Sequence, residues 1–387
     1  GRKIDELTVI TDSMTLYAHW EEKSSGGGDA PVTPDVPPET TGVEFTIVDG
    51  RLISIDLNGE TDVVIPEGVT SIAGDVFNNL SQIERVTIPA SVTYIEAYAF
   101  WSCYPREIHI SDISKWCDIL FENDYSNPLV YGAELYVNGD IVEDLVIPEG
   151  VTSIRDYAFK NCSSLKSVFI PEGVRSIGHL AFENCSELEF VSMPNSLMKI
   201  GVGAFNLCDS LDDVVIPNNA TSVGAFAFAH CISLRNVTLG EGITSIGAYA
   251  FYDCRSLEDV IVPSGVERLE DSTFESCSSL RRVRLPLSLQ GSFRFAKVFK
   301  GCPVDMAIEY YITKDIPGVS VAVADDCEGM GSVSGSKAAS PGTKVNLKAT
   351  AKKGYLFAGW YTDDVCAKEY LLKDQEPSGT VYALFVP

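Results

Sequence analysis

Eleven cysteines and four histidines are the residues best equipped for chemistry in this chain of 387, as thiolate nucleophiles, metal ligands or disulfide partners. Their spacing argues for something else. Cys162, Cys185, Cys208, Cys231, Cys254 and Cys277 stand 23 residues apart, five times in succession, and Cys302 follows after 25. Zinc sites want short cysteine pairs, which these lack. Positions repeated at that period would stack at about 4.8 Å, within reach of a disulfide by backbone distance. Stacked side chains point the same way, however, which holds their Cβ atoms too far apart for a relaxed bridge. The cysteines therefore read as buried free thiols acting as small hydrophobes. In a secreted protein that is unusual, and it fits an oxygen-poor habitat. Cys327 and Cys366 lie outside the period, and their pairing is left open.

Other chemistries find little footing. His19, His109, His179 and His230 fall in unrelated contexts. There is no Gly-x-Ser-x-Gly, no His-Glu-x-x-His, no phosphate-cradling glycine loop and no calcium-loop spacing. Acidic side chains are abundant, 54 against 29 Lys and Arg for a net charge of −25, but a solvated acidic face accounts for them. That excess argues against a nucleic-acid partner, whose phosphates would be repelled. No run of 18 apolar residues provides a membrane span. The expectation is a protein that is not an enzyme, needs no cofactor or metal, and is monomeric.

The element that positions the cysteines is a repeat. Each lies three residues after a phenylalanine, and the Phe column runs Phe77, Phe100, Phe159, Phe182, Phe205, Phe228, Phe251, Phe274 and Phe299. A proline column keeps step: Pro66, Pro89, Pro148, Pro171, Pro194, Pro217, Pro263 and Pro286, with Gly240 taking one turn. A fixed period of this length means a solenoid, whose units bury their apolar faces only by stacking. Within one unit, Leu165-Lys-Ser-Val168-Phe169-Ile170-Pro171 reads as a short strand with Val168 and Ile170 inward and Phe169 outward. The turn Glu172-Gly173 follows. Ile177, Ala181 and Phe182 then fall at helical spacing, which predicts a short helical or 3₁₀ stretch in the second half. The expected fold is a leucine-rich-repeat solenoid of nine repeats, with a parallel sheet on one face, short helical turns on the other and the Phe column inside.

The run Ile147-Pro-Glu-Gly-Val-Thr-Ser-Ile154, followed by Ala158-Phe159 and Cys162, resembles the BspA-like (treponemal-type) leucine-rich repeat of bacterial surface proteins. The likeness covers about residues 43–305. It departs from ordinary leucine-rich repeats three residues after the strand Ile, where Gly68, Ser91, Gly150, Gly173, Ser196 and Asn219 stand, so no continuous asparagine ladder is expected.

Around the solenoid lie other segments. A 36-residue excess after Cys103 holds Trp116, Cys117, Phe121 and the hairpin signal Asn138-Gly139. It reads as a structural flap, or as a loop that shapes a binding edge. Residues 24–42 are a Gly/Ser/Pro linker by composition. Residues 317–387 lose the period and carry Gly354-Tyr-Leu-Phe-Ala-Gly-Trp-Tyr361, which resembles the internalin-type B repeat, a small β module. Residues 1–23, with Leu16-Tyr-Ala-His-Trp20, look like the tail of another copy. The chain opens at Gly1 without a leading Met or signal peptide, and it reads as a piece of something longer.

Two columns of strand residues point outward. One reads Val64, Thr87, Val146, Phe169, Ser192, Val215, Thr238, Ile261 and Arg284; the next reads Asp62, Arg85, Asp144, Ser167, Phe190, Asp213, Asn236, Asp259 and Arg282. Apolar residues among charges on a solvated face are how a partner-binding surface can look, although β-branched and aromatic residues also simply suit strands. The candidate ligand-binding set is Val146, Phe169, Phe190, Val215, Ile261, Arg282 and Arg284. A further column of Tyr98, Tyr157, Phe226 and Tyr249 reads as stacking between coils or as a glycan platform. BspA-like proteins are associated with binding matrix proteins such as fibronectin and fibrinogen. The resemblance thus implies an adhesin-like protein, secreted or on the bacterial cell surface, that binds a host or microbial macromolecule. The alternatives are a structural spacer and a glycan-capturing surface protein.

Overall fold

The computed structural model describes residues 42–290 and 294–311, and beyond them the strands Val319–Val323, Gly331–Ser334, Lys348–Ala351, Leu356–Tyr361 and Gly379–Val386. The N-terminal tail and nearly all of the linker, and Cys327 and Cys366 with them, lie outside the described residues.

The 23-residue period winds into a stack of coils whose strands pair in parallel with the next repeat. In the larger front sheet, of eight strands, Leu145 is opposite Val168 and Val168 opposite Val191. Val and Ile at alternate strand positions face in, as Val168 and Ile170 do, while Phe169 between them faces out. The expected solenoid with its parallel sheet is therefore what the chain forms.

The second half of each coil differs from the helical stretch the spacing suggested. It opens with a two-residue strand, such as Ser176–Ile177, and these strands form a back sheet through Ser153–Ile154, Lys199–Ile200, Ser222–Val223 and Ser245–Ile246. Turns follow, with left-handed residues at two places per coil: Leu180 and Asn184 in one, Phe226 and His230 in another. A left-handed residue breaks the helical ladder. Here the freed N–H groups donate to the next coil instead, Phe182 N to Ala204 O at 2.8 Å and Asn184 N to Asn206 O at 2.7 Å. The apolar spacing is real, but it serves a stack of coils rather than a helix.

Coils come closest at a glycine column. A Cβ on Gly178, Gly201 or Gly224 would sit 2.5 Å from backbone atoms of the preceding coil. The Phe column fills the interior as nearly parallel rings, 5.2 Å apart between Phe182 and Phe205 and 5.3 Å between Phe205 and Phe228. Where an asparagine ladder would run, serine hydroxyls bridge coils in places: Gly173 N donates to Ser196 Oγ at 2.9 Å, and that hydroxyl donates to Val174 O at 2.8 Å.

The 36 extra residues are not a flap hung outside the stack. Glu107–Ile110 pairs in parallel with Arg85–Thr87, and Leu120–Phe121 pairs with Tyr94–Ile95, so much of the segment is one more, divergent coil. Glu134–Val137 pairs in turn with Glu107–Ile110, in a five-stranded sheet distinct from the eight-stranded one, and only then does the Asn138-Gly139 hairpin return, both turn residues at positive φ. In this coil Phe100 N donates to Tyr125 O, as Phe77 N does to Ala99 O. Ser126 thus takes the Phe position, and the ring stack is interrupted between Phe100 and Phe159. Buried Trp116 brings aromatic bulk back, its indole N–H donating to Ala158 O at 2.7 Å. A hairpin with Asp49-Gly50 at its turn, Glu44–Val48 with Arg51–Asp56, closes the N-terminal edge of a separate sheet that also holds Ser71–Ile72, Tyr94–Ile95 and Leu120–Phe121. It is a signal of the same kind as Asn138-Gly139. Beyond residue 318 the strands make a three-stranded sheet and a two-stranded hairpin.

Candidate binding face

The front strands bring the two outward columns into register. Asp144, Ser167 and Phe190 line up in one, and Val146, Phe169 and Ser192 in the other. Because successive strand residues alternate faces, both columns stand clear of the core. Val146, Phe169 and Val215 are 63%, 47% and 62% exposed, and Phe190 and Ile261 are exposed as well. The Phe169 and Phe190 rings meet at 5.5 Å across neighbouring coils, tilted by 51°. Val146, Phe169, Phe190 and Val215 therefore occupy four consecutive coils. Ile261 stands apart, beyond the coil that carries Thr238.

Charged residues on this face are largely satisfied along their own columns. Arg282 holds Asp259 through two bonds of 3.1 Å, and Arg284 reaches Glu309 at 3.2 Å. The two arginines are thus engaged in ion pairs at the C-terminal end, away from the apolar group. At the other end Arg85 bridges Asp62 and Glu107, each at 2.7 Å. The Arg85 and His109 side chains beside Glu107 hold its carboxyl below the usual range. In between, Asn236 Nδ2 donates to Asp213 Oδ1 at 2.6 Å. The middle of the face is left with apolar side chains and hydrogen-bonded polar ones.

Two residues of this face escaped the sequence reading. His109 pairs with Thr87 in register, and Tyr136 with His109, so both join the Val64–Thr87 column, their rings stacked at 4.7 Å. They belong to the divergent coil and carry no periodic signal. The column of Tyr98, Tyr157, Phe226 and Tyr249 lies on a different edge, at the left-handed turn positions, and Phe226 and Tyr249 stack face to face at 4.7 Å.

The thiols are interior. Cys208 Sγ donates to Phe182 O at 3.2 Å, Cys231 to Phe205 O at 3.2 Å and Cys254 to Phe228 O at 3.1 Å, each reaching the preceding coil. They are therefore donors in a ladder as well as small apolar groups. Burial pushes the Cys162 thiol up to about 12 and Cys185 and Cys208 well above the ordinary value. His230 Nδ1 lies 3.3 Å from Asp253 Oδ2, which Arg255 also binds, and its neighbour Cys231 is turned into the core. Among the described residues no group of three or more His, Cys, Asp or Glu is placed to hold a metal ion. No helix of theirs is long and apolar enough to cross a membrane.

The BspA type leucine rich repeat region matches in six copies over residues 58–127, 132–221 and 198–308, and the divergent InlB B-repeat domain matches residues 321–380. Among curated proteins none matches. A leucine-rich-repeat protein of T. pallidum is 36% identical over 37% of this chain and 69% of its own, with a TM-score of 0.36. A leucine rich cell surface protein of Faecalibacterium prausnitzii is 21% identical over 73% of this chain and 95% of its own, with a TM-score of 0.33. The pneumococcal vaccine antigen PcpA is 14% identical over 71% and 93%, with a TM-score of 0.26. With most of its length matched by a repeat whose strands, Phe column and coil period are all in place, the chain belongs to the BspA-type leucine-rich-repeat proteins and carries a divergent InlB B-repeat module toward its C-terminus.

Proposed function

We propose that this protein is a non-enzymatic, adhesin-like binding protein of the bacterial exterior, and that the front face of its solenoid binds a host extracellular or microbial surface protein. One observation carries the reading. Val146, Phe169, Phe190 and Val215 stay exposed on four consecutive coils, and the carboxylates beside them, Asp144 and Asp213, accept hydrogen bonds from Ser167 and Asn236. An apolar centre with an aromatic pair, rimmed by polar groups that need no new partner, is the anatomy of a protein-binding patch. The rigid sheet presents it without an ordering penalty. Its membership in a family with surface-protein relatives supports an extracellular location.

The test is capture of the whole chain by immobilised matrix proteins and mucin, beside a Phe169→Asp/Phe190→Asp/Val215→Asp variant. Both would first be shown folded by a cooperative melt. Saturable binding that the variant loses by at least tenfold is expected. Binding that survives the three aspartates removes the front face from the account. Silence across the panel favours a structural spacer.

A further inference from the structure

We propose a second binding site, separate from the front face, in which a row of aromatic side chains takes a neutral carbohydrate. One coil supplies Tyr98, Trp101 and Tyr104, and the divergent coil supplies Tyr125 and Tyr131. Their rings form a continuous chain: Tyr98 to Trp101 at 5.3 Å, Trp101 to Tyr125 at 4.5 Å, Tyr125 to Tyr131 at 6.4 Å and Tyr131 to Tyr104 at 4.5 Å. Trp101 is 40% exposed and Tyr104 52%, and Tyr98 and Tyr131 are also open to solvent. Large rings of this kind dominate the energetics of cores and interfaces, and here they are held outside the Phe-filled interior.

The row is built rigidly. Asn79 N donates to Trp101 O at 3.0 Å, Ser102 N to the Tyr131 hydroxyl at 3.1 Å and Tyr98 N to Asn123 Oδ1 at 3.3 Å. Tyr98 and Ser102 are both left-handed, with φ of 64° and 55°, so the turn aims their side chains at some cost in backbone strain. A ligand meets rings already in place, which lowers the entropic cost of binding.

The chemistry selects among ligands. Rings 4.5 Å apart are already touching, so no ammonium group can be caged between them. Exposed Glu122 adjoins the row, beside an Asp124 paired with Lys160, in a chain of net charge −25, which opposes a polyanion. Tyrosine and tryptophan offer apolar faces and polar edges together. A pyranose presents the same pair of surfaces, C–H groups on its faces and hydroxyls around its rim. Trp101 and Tyr125, and Tyr104 and Tyr131, are tilted by about 50° to one another, while Tyr98 and Tyr125 lie nearly parallel at 5.9 Å, so the rings line an uneven strip along which a sugar chain can lie.

The experiment is affinity electrophoresis of the whole chain in native gels containing a mixed-linkage β-glucan, xyloglucan, galactomannan or, as the polyanion, heparin. Retardation by at least one neutral glycan is expected. It should fall at least tenfold in apparent affinity for Trp101→Ala/Tyr104→Ala, persist in Trp101→Phe/Tyr104→Phe, and be untouched by the three front-face aspartates. Both replaced side chains are surface groups, and a melt checks that the variants fold. No retardation by any neutral glycan overturns the proposal, as does retardation that survives the double alanine. If the double alanine instead abolishes capture by an immobilised protein while the glycans stay silent, the row is a protein-binding surface.

Discussion

Phe169 and Phe182 are the same residue type in the same coil, on opposite sides of its wall. Phe182 is fully buried, with Phe159 stacked on one side at 5.3 Å and Phe205 on the other at 5.2 Å. Truncating it to alanine loses the transfer energy of the ring, about 2–3 kcal/mol. It also leaves a hole that the stacked coils can close only in part, which brings the cost to about 3–5 kcal/mol. Phe169 is half exposed and loses mainly its tilted contact with Phe190, so its truncation should cost about 0.5–1 kcal/mol. The expected gap between the two variants is therefore about 2–4.5 kcal/mol. Equilibrium urea unfolding followed by far-UV circular dichroism measures it, with the wild-type slope as the check that both variants unfold the same structure. Costs equal within about 1 kcal/mol would refute the inside–outside assignment of the whole coil.

Three further outcomes follow from the same geometry. Gly224→Ala should destabilise by roughly 1–3 kcal/mol, because its Cβ would lie 2.5 Å from the Gly201 backbone, which cannot move independently of its own coil; an unchanged urea midpoint would show the coils to be less tightly stacked. Cys185, Cys208 and Cys231 should resist an aromatic disulfide reagent in the native protein and react fully in denaturant, with half-buried Cys302 labelled ahead of them; rapid native labelling at Cys208, mapped by mass spectrometry, would contradict the interior ladder. Glu96, held low by Arg51 and the Gly74 N–H, and Glu275, held low by Lys300 and Ser272, resist protonation when folded, so the unfolded chain takes up protons first as pH falls below about 4.5. Their contribution is complete above that value and lost as pH drops through the folded pKa values, so a Glu96→Gln/Glu275→Gln variant should lose less stability on acidification than the wild type; identical acid slopes would remove these pairs from the account.

The period by itself determined the architecture. An inward Val and Ile, a proline ending each strand and a Phe every 23 residues admit no solution but stacking, because a single coil cannot cover its own apolar face. The outward position of Phe169, Val215 and Ile261 followed from strand alternation alone. What the sequence could not show is anything that depends on which coil lies beside which. The back strands and left-handed turns are stabilised by N–H groups donating to the next coil, a partner 20-odd residues away that local spacing does not reveal, so the apolar rhythm of Ile177, Ala181 and Phe182 pointed to a helix. The divergent coil lacks the Phe marker, with Ser126 in its place, and only the parallel pairing of Glu107–Ile110 shows it to be part of the stack. His109, Tyr136, Tyr125 and Tyr131 reach their neighbours through that pairing. The arginines at 282 and 284 look like free binding groups in the sequence, and the register places Asp259 and Glu309 beside them. Periodicity encodes what each coil must bury, whereas the composition of a surface is set by register, and register exists only once the coils are stacked.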